Sequence, residues 1–554
     1  VISPARALVL CGFVWGCGHG VVVYPPHEPL RRDPDRHPFE AKLEPYYSSE
    51  EWDFIEKSYF RPVSRFLAVD PGGEALNLNT LDEVPDSSWF GNRVGRLAAE
   101  EVALGPCDSF DLQLEGTRIV AGKPDGQYPG FLIKDNKGQR YMVKVDGGIQ
   151  GPHSSSADVV GSRLYHAAGF DVPCNRVVRI QRSALVIDAK AKMDRANGDE
   201  TPMLERDVDE ILARGRREAD GTWRAVASRY LEGRPLGPWK YHGTREGDRN
   251  DIVPHEDRRE LRGARLLAAW TNHWDSREQN SLAMWIETRP GQGYVRHHLL
   301  DFGDCFGTFA GANATVVKRR GHVHWFDPGY VLTDFVTLGL IQRPWDEAKL
   351  GPTGAFLGYY DVELFDPERW SPSYPNPAFG RMTERDAAWM ARIIAQIDER
   401  DLHAAVSAAR LEQRISDEWV RVLMGRRQKI LDRYLTRLSP LAQPELVTSG
   451  GASALCARDL ANETGTAKAR QYRVSMRQDG EGRASSSSRP WLDALGRVCV
   501  RLPLSRRASR ARPAYFTIDI APAGGALQAA PARFHVYQQG PDRYLLAGLE
   551  RLEP

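Results

Sequence analysis

His273-Trp274-Asp275-Ser276-Arg277-Glu278-Gln279-Asn280 is followed, one strand hairpin later, by Asp301-Phe302-Gly303. The first stretch sets an aspartate and an asparagine five positions apart, directly after an apolar-periodic segment. A carboxylate and an amide held in one loop can serve an attacking hydroxyl and a metal ion; a second carboxylate at a strand end can bridge that metal to an anion. Each motif alone recurs by chance. Their order along the chain gives them weight.

The surroundings supply that order. Residues 256–271 carry Leu261, Ala264, Leu267 and Ala268 at helical spacing. Residues 281–286 and 294–300 read as a hairpin joined by Arg289-Pro290-Gly291-Gln292-Gly293. Far upstream, residues 131–134 and 140–145 flank the turn Asp135-Asn136-Lys137-Gly138. This puts Lys144 on a strand. A glycine-bearing loop with Gly126 and Gly130 precedes it, and glycine permits close approach of backbone N–H groups to phosphate. A helix is expected over 157–168, with Val160, Leu164, Ala167 and Ala168 on one face and Gly169 ending it. Asp158 either partners Lys144 from that helix or closes a capping box with Ser155. Residues 175–187 and 222–231 have strand character.

Strand lysine, helix acid, Asp…Asn loop and Asp-Phe-Gly, in this order, resemble the protein-kinase-like superfamily over residues 110–438. Residues 157–173, ending Gly169-Phe170-Asp171-Val172-Pro173, look like the corresponding region of HipA-type and phosphoinositide-kinase-like proteins. Pro129-Gly130-Phe131, Asn272-His273 and Asp301-Phe302-Gly303 are similar to landmarks of a group of bacterial proteins of unassigned function. The resemblance implies an α+β, two-lobed protein-kinase-like fold. Residues 110–235 would be its N-lobe and 236–440 its C-lobe, with an N-terminal extension over 18–109 and a mostly β C-terminal module over 441–554. It implies ATP and Mg²⁺ as cofactors. Lys144 would pair the α/β-phosphates, with Asp158 as its acid and Gly126 and Gly130 lining the phosphates. Asp275 would take or orient the acceptor proton, Arg277 would contact the γ-phosphate, and Asn280 and Asp301 would hold metal, with Asp304 as a helper. Two features depart from the family pattern. No Gly-x-Gly-x-x-Gly loop is present, and no Ala-Pro-Glu follows Asp301. The acceptor therefore stays open among protein, lipid and small molecule.

The totals bound the rest. A chain of 554 residues suggests two to four compact units. Lys+Arg of 74 against Asp+Glu of 73 gives no basic excess for nucleic acid. The arginine-rich stretch 501–512 reads as a solvated loop. Seven cysteines contain no Cys-x-x-Cys pair, and a chain this long does not need disulfides, so their pairing is left open. At the start, Arg6 and a short apolar run over 7–16 lead into Val14-Trp15-Gly16-Cys17. This resembles a bacterial lipoprotein signal with Cys17 acylated. The expectation is a cell-envelope protein held at a membrane through that lipid; a buried N-terminal strand in a cytoplasmic protein is the alternative. Ser48-Ser49-Glu50-Glu51 offers a capping box for a helix running through Phe66.

Three functions fit. The first is a kinase-type phosphotransferase. The second is a non-catalytic, envelope-anchored binding protein of the same fold, favoured because ATP is scarce outside the cytoplasm. The third is a metal-dependent hydrolase using His297, His298, His322, His324 and Asp327 with Asp301.

Overall fold

The computed structural model describes residues 23–67, 73–107, 110–123, 128–194, 200–309, 312–449, 452–467, 471–478, 488–505, 507–523 and 530–553. Cys17 and Gly126 lie outside the described residues. The chain is an α+β protein.

A seven-stranded sheet runs in the order Asn175–Ile180, Trp223–Arg229, Arg140–Val145, Gly130–Lys134, Arg118–Lys123, Val186–Asp194, Glu200–Pro202. Only Arg118–Lys123 and Val186–Asp194 pair in parallel. Period-two alternation fixes which side chains face the core. Tyr141, Val143 and Val145 are buried, and Lys144 points to the opposite face. The expected hairpin at Asp135 forms, with the Asp135 carboxylate accepting from Lys137 N and Gln139 N. One face packs on helix Glu205–Ala213 through Val208, Ile211 and Leu212. Sequence reasoning placed no helix there, although those three apolar positions have helical spacing.

The helix expected over 157–168 runs over His153–Ala168 and is buried at every residue but His166. It starts a turn early because Asp146, nine residues before Ser155, accepts the Ser155 N–H at 2.8 Å and the Ser155 hydroxyl. The strand expected over 175–187 stops at Ile180. A 3₁₀ turn at Arg182–Ala184 then sends Val186–Asp194 to the far side of the sheet.

Helix Arg259–Thr271 is buried at all positions but one, against helices Glu384–Ile394 and Gln413–Tyr434. It ends at Asn272 in the left-handed region, φ 49°, which asparagine tolerates. The hairpin Ser281–Arg289 with Gln292–Leu299 has a shorter turn than expected, since Arg289 already pairs with Gln292. Two further helices, Ala314–Arg319 and Pro328–Thr337, were not anticipated. Residues 50–66 are helical as expected, with Ser49 accepting from Trp52 N and a π-helical stretch at Glu56–Phe60.

From Leu441 to Arg551 the described chain forms two four-stranded antiparallel sheets around Leu455, Val474, Val500, Ile518 and Phe534. Among the described residues the cysteines pair as Cys107–Cys174 and Cys456–Cys499, leaving Cys305 buried and free. Among the described residues, no helix is long and apolar enough to cross a membrane.

Candidate active site

Four elements converge below the sheet. Strand Arg140–Val145 delivers Lys144, helix His153–Ala168 delivers Asp158, and the end of strand Gln292–Leu299 leads into Asp301. The loop after helix Arg259–Thr271 brings Asp275 to Asn280.

Lys144 Nζ lies 2.6 Å from Asp301 Oδ1 and 3.5 Å from Asp158 Oδ2. Burial would push the lysine down, but the Asp158 and Asp301 carboxylates outweigh it and raise its pKa, so it stays cationic. Burial tends to raise Asp301 too, yet the adjacent Lys144 ammonium wins and lowers it. Asp158 goes the other way: its burial prevails over Lys144 and raises it. Its Oδ1 accepts from Phe302 N at 2.9 Å. Ser155 is bonded to Asp146, so Asp158 closes no capping box with it.

Asp301 has φ 57° and ψ 65°, a left-handed conformation rare for non-glycine residues. Such strain clusters at sites where a side chain must be aimed. Its side chain is 41% exposed, while Asp158 is 2% exposed.

Asn280 Nδ2 donates to Asp275 Oδ2 at 3.0 Å and to Asp275 O at 2.7 Å, closing the loop on itself. Arg277 Nε pairs with Asp275 Oδ1 at 3.0 Å. Burial lifts Asp275 to about 6 against the Arg277 charge. Asp304 is lifted to about 7 by burial and then by Asp275 and Asp301, which places all three carboxylates in one field. His273 donates to no metal-like cluster. Its Nδ1 meets Tyr165 OH at 3.0 Å, and burial lowers it to about 4.

The approach of Phe302 to the helix depends on Gly161. A Cβ there would lie 2.5 Å from Phe302 Cβ. Gly161→Ala removes a helix-interior glycine, worth up to about 1 kcal/mol. The overpacking costs about 1–3 kcal/mol and tilts Phe302 away from Asp158. The expected net result is a lower denaturation midpoint in urea; a rise in midpoint would show that the helix and Phe302 are not in this contact.

Gly130 has a packing reason of its own, since a Cβ would lie 2.0 Å from Val143 O on the neighbouring strand. The histidines do not gather. His297 stacks on Trp89 with ring centres 3.3 Å apart, His324 bonds Pro372 O, and His322 packs on Trp345. Among the described residues the one cluster with metal-ligand proximity is Cys456, Asp493 and Cys499, whose cysteines are disulfide-bonded. The His-based hydrolase centre is therefore not assembled: His297 and His298 are successive residues of strand Gln292–Leu299, while His322 and His324 lie in the irregular segment between helices Ala314–Arg319 and Pro328–Thr337.

Sequence reasoning missed three contributors. Lys123, at the end of strand Arg118–Lys123, lies in the field of Lys144, Asp301 and Asp158, and burial followed by Lys144 lowers its pKa. Glu50 pairs with Arg277, and Lys57 with Glu278 at 2.8 Å, so the N-terminal helix sits on the Asp275–Asn280 loop. Only Lys123 had a sequence signal, as the last strand residue before the glycine-bearing loop.

No family model matches the chain, and no curated protein matches it. Among solved structures it is similar to the Golgi casein kinase with Mn/ADP bound, at 11% identity and a TM-score of 0.25 over 68% of this chain and 97% of that one. A second structure of the Golgi casein kinase gives 12% identity and a TM-score of 0.24 over the same shares. At these values the likeness defines no shared fold, and the reading of the site rests on its own geometry.

Proposed function

We propose that the chain is a kinase-like phosphotransferase that binds ATP with Mg²⁺ between a sheet lobe, residues 110–235, and a helical lobe, residues 236–440. The observation that carries this reading is Lys144 Nζ held by Asp301 and Asp158, with the Asp275–Asn280 pair in the same field.

The donor chemistry present suits the metal. Asp158 Oδ2 and Asp275 Oδ1 are buried, and each faces a cation, Lys144 Nζ at 3.5 Å and Arg277 Nε at 3.0 Å. The Asp301 carboxylate and the Asn280 amide oxygen are hard-oxygen donors, the kind Mg²⁺ takes, and among the described residues the Asp158, Asp275 and Asp301 carboxylates do not themselves gather into a metal-sized cluster. Bound there, Mg²⁺ with ATP would supply charge neutralisation and the phosphoryl group. Asp301 and Asn280 would hold the metal. Lys144 would exchange part of its Asp301 contact for the α/β-phosphates and keep Asp158 as its anchor. Asp275 would accept the acceptor hydroxyl proton at a carboxylate oxygen, with Arg277 beside it to balance the γ-phosphate charge. Gly303 leaves room beside this set, since a Cβ there would sit 2.9 Å from Ser154 Oγ.

Two disulfides favour an oxidising compartment and hence the cell envelope, where Cys17 would be lipidated. That observation also favours a second reading, an envelope binding protein that holds nucleotide without turning it over. One experiment separates them. ATP with Mg²⁺ is expected to raise the melting temperature of the full chain, and EDTA to remove the effect. Asp275→Ala is expected to keep the stabilisation and lose about 10²–10⁴-fold in ATP consumption. Stabilisation without any wild-type consumption selects the binding protein; no stabilisation rejects both.

A further inference from the structure

We propose that the cleft lined by the segment that leaves strand Trp223–Arg229 and runs to Pro235, called the linker below, is a second binding site, for a small multivalent oxyanion of the oligophosphate class. The cavity measures about 730 Å³ and shares no residue with the Lys144–Asp301 set. Ligand pockets commonly span roughly 300–1,000 Å³.

Its charge is lopsided. Arg93, Arg140, Arg229 and Arg296 line it, against the carboxylates of Asp171 and Glu232. Asp171 is already spent: Arg93 Nη2 holds it at 2.6 Å and Arg296 Nε at 2.7 Å. That clamp fixes two guanidiniums in the wall. Arg140 is paired with no carboxylate among the described residues, and its guanidinium stacks over Tyr230 at 5.2 Å. A stacked guanidinium keeps its N–H edge for an anion while the ring holds its plane, which favours bidentate contact with phosphate. His298 also lines the cavity. It is 6% exposed, and its Nδ1 has no hydrogen-bond partner among the described residues. A concave wall with excess positive charge concentrates field lines and anions.

The walls are preorganised by the backbone. Tyr230 N donates to Arg140 O at 3.0 Å, tying the linker to the strand turn. Leu299 N donates to Asp171 O at 3.0 Å, two residues before Asp301. An anion gripping Arg140 and Arg296 would therefore bridge the sheet, the linker and the strand that leads to Asp301.

The test is titration calorimetry of the full chain with inorganic tripolyphosphate in EDTA at physiological ionic strength. Saturable binding is expected for the wild type. Arg140→Glu, at an exposed strand end where folding is undisturbed, is expected to weaken it at least tenfold. Lys144→Met is expected to leave it within twofold. Absent binding, or equal affinity in wild type and Arg140→Glu, overturns the inference. Loss in Lys144→Met with retention in Arg140→Glu also overturns it, by placing the anion in the nucleotide site, and leaves the phosphotransferase reading standing.

Discussion

Asp301→Asn is expected to abolish Mg²⁺-dependent stabilisation by ATP and to cut ATP consumption by roughly 10²–10³-fold, the scale for losing one preorganised electrostatic group. The choice of asparagine matters. Asp301 sits at φ 57°, where alanine would add a left-handed backbone penalty of about 1–2 kcal/mol. Asparagine visits that region readily, so the substitution removes charge while keeping the turn. It also keeps an Oδ1 that can accept from Lys144. The lysine retains Asp158, whose Oδ1 stays on Phe302 N, so the wall of the site survives. The melting temperature without ligand should therefore move little, while the gain with ATP and Mg²⁺ vanishes. Wild-type consumption in Asp301→Asn would remove Asp301 from the chemistry and the phosphotransferase reading with it.

What the sequence made legible here is what local spacing encodes. Lys144 follows from strand alternation beside a turn at Asp135, and Asp301 from its place after a hairpin. Asp275 and Asn280 stand out through the resemblance of their five-residue spacing to a kinase loop, and the structure adds that Asn280 Nδ2 donates to Asp275 Oδ2 at 3.0 Å. Asp158 was ambiguous because a helix-start acid serves equally as a cap or as a charge partner. The tertiary fold resolved it by letting Asp146 cap the helix from outside. The rest depended on contacts with no local signature. Asp146 caps a helix nine residues away, and Cys107 meets Cys174 across 67 positions. The early break at Ile180 is set by the place beside Arg118–Lys123 that Val186–Asp194 must reach, which no window of residues around 180 records. His297 and His324 looked available in the sequence because their neighbours Trp89 and Pro372 are distant in the chain.

Another contact hidden from the sequence carries the other large expected effect. Lys57 is 2% exposed and bridges Asp53, on its own helix, to Glu278, 221 residues away in the Asp275–Asn280 loop. Tyr46 OH adds a bond to Glu278 at 2.9 Å, and Ser48 and Tyr374 complete the ring of donors around the two acids. Lys57→Met keeps the stem volume and deletes the charge, leaving Asp53 and Glu278 buried and facing each other. Removing one partner of a buried pair costs about 3–5 kcal/mol, because the remaining charge is neither solvated nor compensated. The denaturant midpoint should fall accordingly. The loop should loosen with it, since Glu278 lies between Arg277 and Asn280, and Glu50 loses its hold on Arg277 when the helix lifts. ATP consumption should therefore drop together with stability. Adding Asp53→Asn and Glu278→Gln to Lys57→Met removes the stranded charges and is expected to restore much of the midpoint. Lys137→Met, which breaks the exposed pair with Asp111, should change neither quantity measurably. A Lys57→Met midpoint matching that control would mean the N-terminal helix does not brace the loop. Recovery of stability in the triple variant without recovery of ATP consumption would show that the charge itself, beyond the helix it anchors, sets the position of Asp275.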